Sequence, residues 1–206
     1  MKTILWDNMA KRYDRRFGKW YEQIFTEVLP HMSENNEILE IGCGSGLLSF
    51  KIIPHVKRFV GYDLSKDMID QCKIKLIKND YGNAHFVKGD IMNPPYLGVF
   101  DKVLLVNLLH VVDNPKEVLS QVRRYLTPKS TLLILSYCHG EKMAVKYTTL
   151  SFFMNIGSKL GLMSKLHRFT FDELRDMVIN SGFNVKEERR NSEGFPFLFL
   201  QVKLEF

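Results

Sequence analysis

The chain has 206 residues, 45% of them hydrophobic and 25% charged, which is an ordinary globular balance with length enough for one substantial core. Its three cysteines, Cys43, Cys72 and Cys138, are widely spaced, which excludes a zinc cluster or a disulfide framework and predicts a reducing, cytoplasmic setting. The net charge of +6 admits an anionic partner, but Lys51, Lys57, Arg58, Lys73, Lys75 and Lys78 fall on amphipathic segments and read as solvated faces.

Asp7 interrupts the N-terminus before an apolar run of signal-peptide length develops, and later apolar runs are too short to span a membrane. No membrane anchor is expected, and 1–206 reads as one domain. Residues 1–36, with Trp6, Tyr13, Phe17, Trp20 and Tyr21, are predicted to form one or two helices outside the main alternation.

From Glu37 onward, short apolar runs alternate with segments of helical period, the pattern of a parallel sheet flanked by helices, so the class is α/β. Strands are predicted at 38–41, 58–62, 84–87, 100–106 and 131–136. A helix is expected from Leu47 to about Val56, a second capped by Ser65, and a third from Pro115 to Leu126. Residues 140–168 break the alternation; their aromatic and methionine side chains, among them Tyr147, Phe152, Phe153, Met154 and Met163, suggest a cap over a substrate pocket. Thr170 and Glu173 form a capping box whose helix ends at Ser181-Gly182. Two terminal strands, Phe183 to Glu188 and Phe197 to Leu204, have no helix between them and so imply an antiparallel hairpin.

The chemistry centres on Gly42-Cys43-Gly44-Ser45-Gly46, between the first strand and its helix, where glycines let backbone N–H groups approach a ligand closely. A dinucleotide fingerprint would need a small residue where Leu47 stands, and no lysine-serine pair follows to hold a triphosphate. Cys43 reads as a small filler in the turn. Asp63 ends the second strand, Asp90 follows the third, and Asn107 follows the fourth.

Glu40-Ile41-Gly42-Cys43-Gly44-Ser45-Gly46 resembles the first motif of the class I S-adenosylmethionine-dependent methyltransferases, acidic-x-Gly-x-Gly-x-Gly. The resemblance covers roughly Glu37 to Phe206. It implies a Rossmann-like, doubly wound, mostly parallel seven-stranded sheet with an antiparallel C-terminal strand and helices on both faces. It also implies S-adenosyl-L-methionine as cofactor, with the glycines against its methionine part and Glu40 positioning its ammonium group directly or through water. Asp63, followed by Leu64, falls on the ribose hydroxyls; Asp90 accepts from the adenine amino group while Ile91 packs on the ring. Asn107 and His110 come beside the methyl group. Ala10 to Asp14, including Tyr13, looks like a cofactor-covering helix.

Asn93-Pro94-Pro95-Tyr96 spells a tetrapeptide of amino-methyltransferases, but it precedes the fourth strand instead of following it and so reads as a loop. Asp101 reads as a strand-end partner. Asp63, taken as a surface strand end, is expected to tolerate replacement by alanine with the fold intact. If the acceptor must lose a proton, His110, His139 and Tyr137 are the base candidates, each with a packing or loop role as its alternative. A small-molecule acceptor is the first expectation, RNA or protein the second, and a non-catalytic cofactor-binding scaffold the third. No metal is expected, and the oligomeric state is left open.

Overall fold

In a computed structural model of the chain, residues 3–94, 98–142, 156 and 166–205 are described, and the side chains of residues 19 and 20 fall outside that set. Most of the cap expected over 140–168, namely residues 143–155 and 157–165, together with Pro95, Tyr96 and the side chain of Trp20, therefore lies outside the described residues. Seven strands form one sheet: β1 (Glu37–Ile41), β2 (Arg58–Asp63), β3 (Ala84–Lys88), β4 (Lys102–Val106), β5 (Thr131–Tyr137), β6 (Phe183–Asn191) and β7 (Phe197–Leu204). Their order is β3-β2-β1-β4-β5-β7-β6. The first five run parallel, while β7 pairs antiparallel with both β5 and β6. The terminal hairpin is thus present, with β7 inserted beside β5 and β6 left at the edge.

Alternation along each strand decides which layer a side chain joins. Leu39, Val60, Val103, Leu105 and Ile134 pack with α4 (Pro115–Val122) and α5 (Phe171–Asn180) on one face. Ile38, Phe59, Leu104, Val106 and Leu135 pack on the other with Ile24 and Val28 of α1 (Ile4–Val28), Ile52 of α2 (Ser49–Ile52), and Ile69 and Cys72 of α3 (Lys66–Asn79). Helices on both faces bury the central strands completely, which is why those strands are apolar nearly throughout.

Local signals fix several boundaries. Ser65 accepts from the Met68 N–H at 3.2 Å and starts α3. Thr170 and Glu173 satisfy each other's backbone N–H groups at the start of α5. Asp101 accepts from the Glu37 N–H at 2.8 Å, a strand-end role. Two expected helices are shorter: α2 gives way to a 3-10 turn at Ile53–His55, where Pro54 has no N–H to continue the ladder, and α4 does so at Arg123–Tyr125. The N-terminal segment is one helix of 25 residues. No described helix is long and apolar enough to cross a membrane.

Candidate cofactor site

The glycine turn emerges from the carboxyl end of β1, the edge where parallel α/β sheets bind ligands. Gly42, Gly44 and Gly46 have φ of 76°, 54° and 81°, in the left-handed region that side chains disfavour. A Cβ on Gly42 would sit 2.7 Å from a Leu108 methyl, whereas one on Gly44 would meet no protein atom within 4 Å. Gly44 therefore leaves room for a ligand rather than for packing. Asp63 holds the turn from β2: its Oδ2 accepts from the Gly44 N–H at 2.9 Å, and its Oδ1 from the Ser65 N–H at 2.8 Å.

Two cavities meet at Gly42, Asp63 and Leu108. The first, about 240 Å³, is lined by Leu64, Asp90, Ile91, Met92 and, from the start of α4, by Asp113, Asn114 and Glu117. The second, about 60 Å³, lies beneath α1 and is lined by Trp6, Tyr13, Tyr21, Met68, Asn107 and Val111. Asn107 has φ of 53°, and its Oδ1 accepts from the Tyr137 N–H at 3.3 Å. The Tyr13 and Tyr21 hydroxyls are 3.4 Å apart, and both rings line the same cavity as Asn107. Burial pushes the Tyr13 hydroxyl up to about 12 and Tyr21 well above its ordinary value, so both stay protonated at neutral pH.

The helix above the second cavity is tied down by its acidic side chains. Asp7 accepts from the Ser65 hydroxyl and Asp14 from that of Ser45, each at 2.5 Å. Asp14 also pairs with Lys75, and Glu22 with Lys51. Ser45, read from the sequence only as part of the turn, thus anchors the cover.

Glu40 is 3% exposed and lines neither cavity. Its Oε2 accepts from the Ser49 hydroxyl at 2.5 Å, yet burial raises its carboxyl to about 7, and the Asp63 charge adds to the rise. Burial also raises Asp63, against the lowering effect of its backbone hydrogen bonds. Asp63 thus presents a carboxyl group to both cavities, while Glu40 stands behind the turn.

Of the sequence-predicted residues, Gly42, Asp63, Leu64, Asp90 and Ile91 line the first cavity, and Tyr13, Gly42, Gly44, Asp63 and Asn107 the second. Glu40, Cys43, Gly46, Tyr137, His110 and His139 stand outside both walls. The Cys43 thiol turns toward the Gly44 carbonyl at 3.7 Å. His110, 4% exposed, is hydrogen-bonded through Nδ1 to the Ser136 hydroxyl at 2.9 Å. Its ring centroid is 5.2 Å from that of His139, which is buried and not a solvated loop residue. Burial lowers both imidazoles, His139 to about 4, so both are neutral at pH 7. The Tyr137 ring packs against Phe195, 4.6 Å between centroids. Trp6, Tyr13 and Tyr21, N-terminal aromatics that the sequence offers as part of a roof over an apolar pocket, do line the second cavity. Among the described residues no group of three metal-ligating side chains is present.

A sequence model described as a methyltransferase domain matches residues 32–174. The chain belongs to the class I S-adenosylmethionine-dependent methyltransferases. It is 30% identical over 125 residues to an uncharacterized RNA methyltransferase of Leptospira interrogans, an alignment that takes in 50% of this chain and 29% of that protein. Among solved structures it is similar to a putative methyltransferase in complex with the Haloferax volcanii Trm112 methyltransferase activator, with a TM-score of 0.75, 16% identity and 98% of each chain covered. It is also similar to a DhpI complex with SAH, at TM-score 0.70 and 15% identity over 98% of this chain and 94% of that one. These two likenesses extend the shared fold over nearly the whole chain.

S-Adenosylmethionine is the cofactor of this family, and the site's chemistry suits it: carboxylates near a cationic ligand, a turn with space at Gly44, and an apolar wall at Ile91 for a flat ring. Gly44→Ala should therefore separate binding from folding. The left-handed φ costs alanine about 1 kcal/mol, a small loss in a melting experiment. The added methyl group enters the ligand's space, and calorimetry should find cofactor affinity reduced by more than tenfold. Unchanged affinity would mean that Gly44 does not face the ligand.

Proposed function

We propose that the chain transfers the methyl group of S-adenosylmethionine to a small-molecule acceptor that carries no negative charge where it meets the methyl. The observation that carries this reading is the wall of the second cavity, formed by Trp6, Tyr13, Tyr21, Val106, Leu108 and Val111 around the single amide of Asn107. No described lysine, arginine or imidazole lines it. Asp63 is the one charged residue among its described walls, so an anionic acceptor would lose its hydration there without a counter-charge.

The cofactor supplies a methyl group already activated by its sulfonium, so the protein's work is alignment and exclusion of water. In this reading Asp63 and the glycine turn hold the ribose and methionine parts, Glu40 acts on the ammonium group, and Asp90 with Ile91 receives the adenine. Asn107, held by the Tyr137 N–H, orients the acceptor, and α1 closes the cavity from above. His110 and His139 act as packing in this scheme, because burial makes them weak bases and neither lines the cavity. An amine, with its own lone pair, fits such a site better than an aliphatic alcohol that must first lose a proton.

The test is release of S-adenosylhomocysteine with a panel of small amines, thiols, phenols and alcohols, each against a no-acceptor control. Turnover with neutral amines and not with alcohols is expected. A second reading takes the acceptor to be a base of RNA, and one feature favours it: the outer face of α1 is basic. Label from the methyl group appearing only in RNA would replace the first reading by the second.

A further inference from the structure

The charges of α1 are sorted by face. Its acids point to the body of the protein: Asp7 to Ser65, Asp14 to Ser45 and Lys75, Glu22 to Lys51, and Glu27 to Arg189. Ala10, Tyr13, Tyr21, Ile24 and Val28 form its inner side. Lys11, Arg12, Arg15 and Arg16 are all exposed, and none makes an ion pair among the described residues. At about 100° per residue, these four fall within roughly 140° of arc, opposite the inner side. The +6 of the whole chain thus has a concentrated local expression, directly above the cavity that holds Asn107.

We propose that this face of α1 is a docking surface for the phosphate backbone of RNA. Three of the four cations are arginines, whose planar forks match phosphate oxygens two at a time. The row is about 7 Å long, a reach that suits adjacent phosphates of one strand. The apolar side of α1 is already buried against the protein, so the helix has no face left to insert into a lipid surface. Between residues 11 and 16 this face carries no acid, and exposed Glu22, further along the same side, is paired with Lys51, so a polyanion gains from releasing counterions at the four cations. The inference goes beyond the small-molecule reading and rests on the second, RNA reading of the acceptor, which it would put in the first one's place.

The experiment measures binding of a fluorescent oligouridine and of total tRNA to the full chain and to the variant Lys11→Gln/Arg12→Gln/Arg15→Gln/Arg16→Gln. Expected is wild-type binding that weakens about fiftyfold between roughly 50 and 200 mM salt, since each of four phosphate contacts contributes a slope of about −0.7. The variant should lose at least tenfold in affinity and most of that slope, with S-adenosylmethionine affinity unchanged. The smaller Arg12→Gln/Arg15→Gln pair carries the same test, with about half the loss in slope, if the larger variant folds poorly. No RNA binding by the wild type, or equal binding by variant and wild type, overturns the proposal. So does tighter binding to vesicles containing anionic phospholipid, uncompeted by RNA. Failure of the wild type to bind S-adenosylmethionine would instead overturn the methyltransferase reading and leave the RNA result to stand alone.

Discussion

Asp63→Ala should abolish measurable cofactor binding and also lower the melting temperature, a double effect expected from the two jobs its carboxylate performs. Toward the ligand it offers the remaining lone pairs of both oxygens, and two hydrogen bonds to a charged acceptor are worth about 1.5–3 kcal/mol each, a loss of at least a hundredfold in affinity. Toward the protein it satisfies the Gly44 and Ser65 N–H groups, and alanine leaves both without that partner at a cost of about 1–3 kcal/mol each where burial excludes water. From the sequence, Asp63→Ala is expected to weaken the cofactor strongly with the fold intact; the two backbone hydrogen bonds add a cost in stability to that expectation. Asp63→Asn keeps one carbonyl acceptor and should sit between alanine and wild type in stability while binding the cofactor nearly as poorly as alanine. Calorimetry and thermal melting on the two variants check this: equal melting temperatures for wild type and Asp63→Ala would remove the structural role, and retained affinity would remove the ligand role.

What the sequence revealed about this fold was carried by short-range patterns. The strands were legible because a central parallel strand is apolar on both faces, the caps at Ser65 and Thr170 because their partners lie within one helical turn, and the glycine turn because left-handed backbone requires glycine. The shortfall of α2 was also local, since Pro54 was visible, but its weight against the apolar period of residues 47–56 was misjudged. What could not be read depends on contacts distant in sequence. Ser45 meets Asp14 across 31 positions, and Ser65 meets Asp7 across 58. Nothing in either neighbourhood says that an acid on a distant helix will use that hydroxyl. His110 and His139 were placed correctly near the carboxyl edge of the sheet, but the wall in front of them depends on how Leu108 and Asn107 turn, which a left-handed residue after β4 determines and periodicity does not record.

Glu40→Gln should produce opposite changes in stability and function, each confined to a pH window set by the raised carboxyl. In an unfolded chain this group ionises near its ordinary 4.5, and in the ligand-free fold near 7. Between those values the folded state keeps a proton that the unfolded state has released, so the group's contribution to stability falls as pH rises and is fully unfavourable above about 7. The penalty is of order 3 kcal/mol at pH 8 and about 1 kcal/mol at pH 5.5. Glutamine, which can still accept from Ser49, escapes it, so the variant should melt higher than wild type, by more at pH 8 than at pH 5.5. Cofactor binding runs the other way, because an ammonium group is attracted only by the ionised carboxylate. At pH 8 the variant should bind S-adenosylmethionine about thirtyfold more weakly, corresponding to roughly 2 kcal/mol of lost attraction at close range in a partly screened site. At pH 5.5, where wild-type Glu40 is itself largely protonated, the gap should shrink to about threefold. Binding at pH 6 should also release protons in the wild type and fewer in the variant, measurable by calorimetry in buffers of different ionisation enthalpy. A stability difference independent of pH would show that Glu40 ionises normally; a pH-dependent stability difference with equal affinities would leave it a buried structural acid, too far from the cofactor to feel its charge.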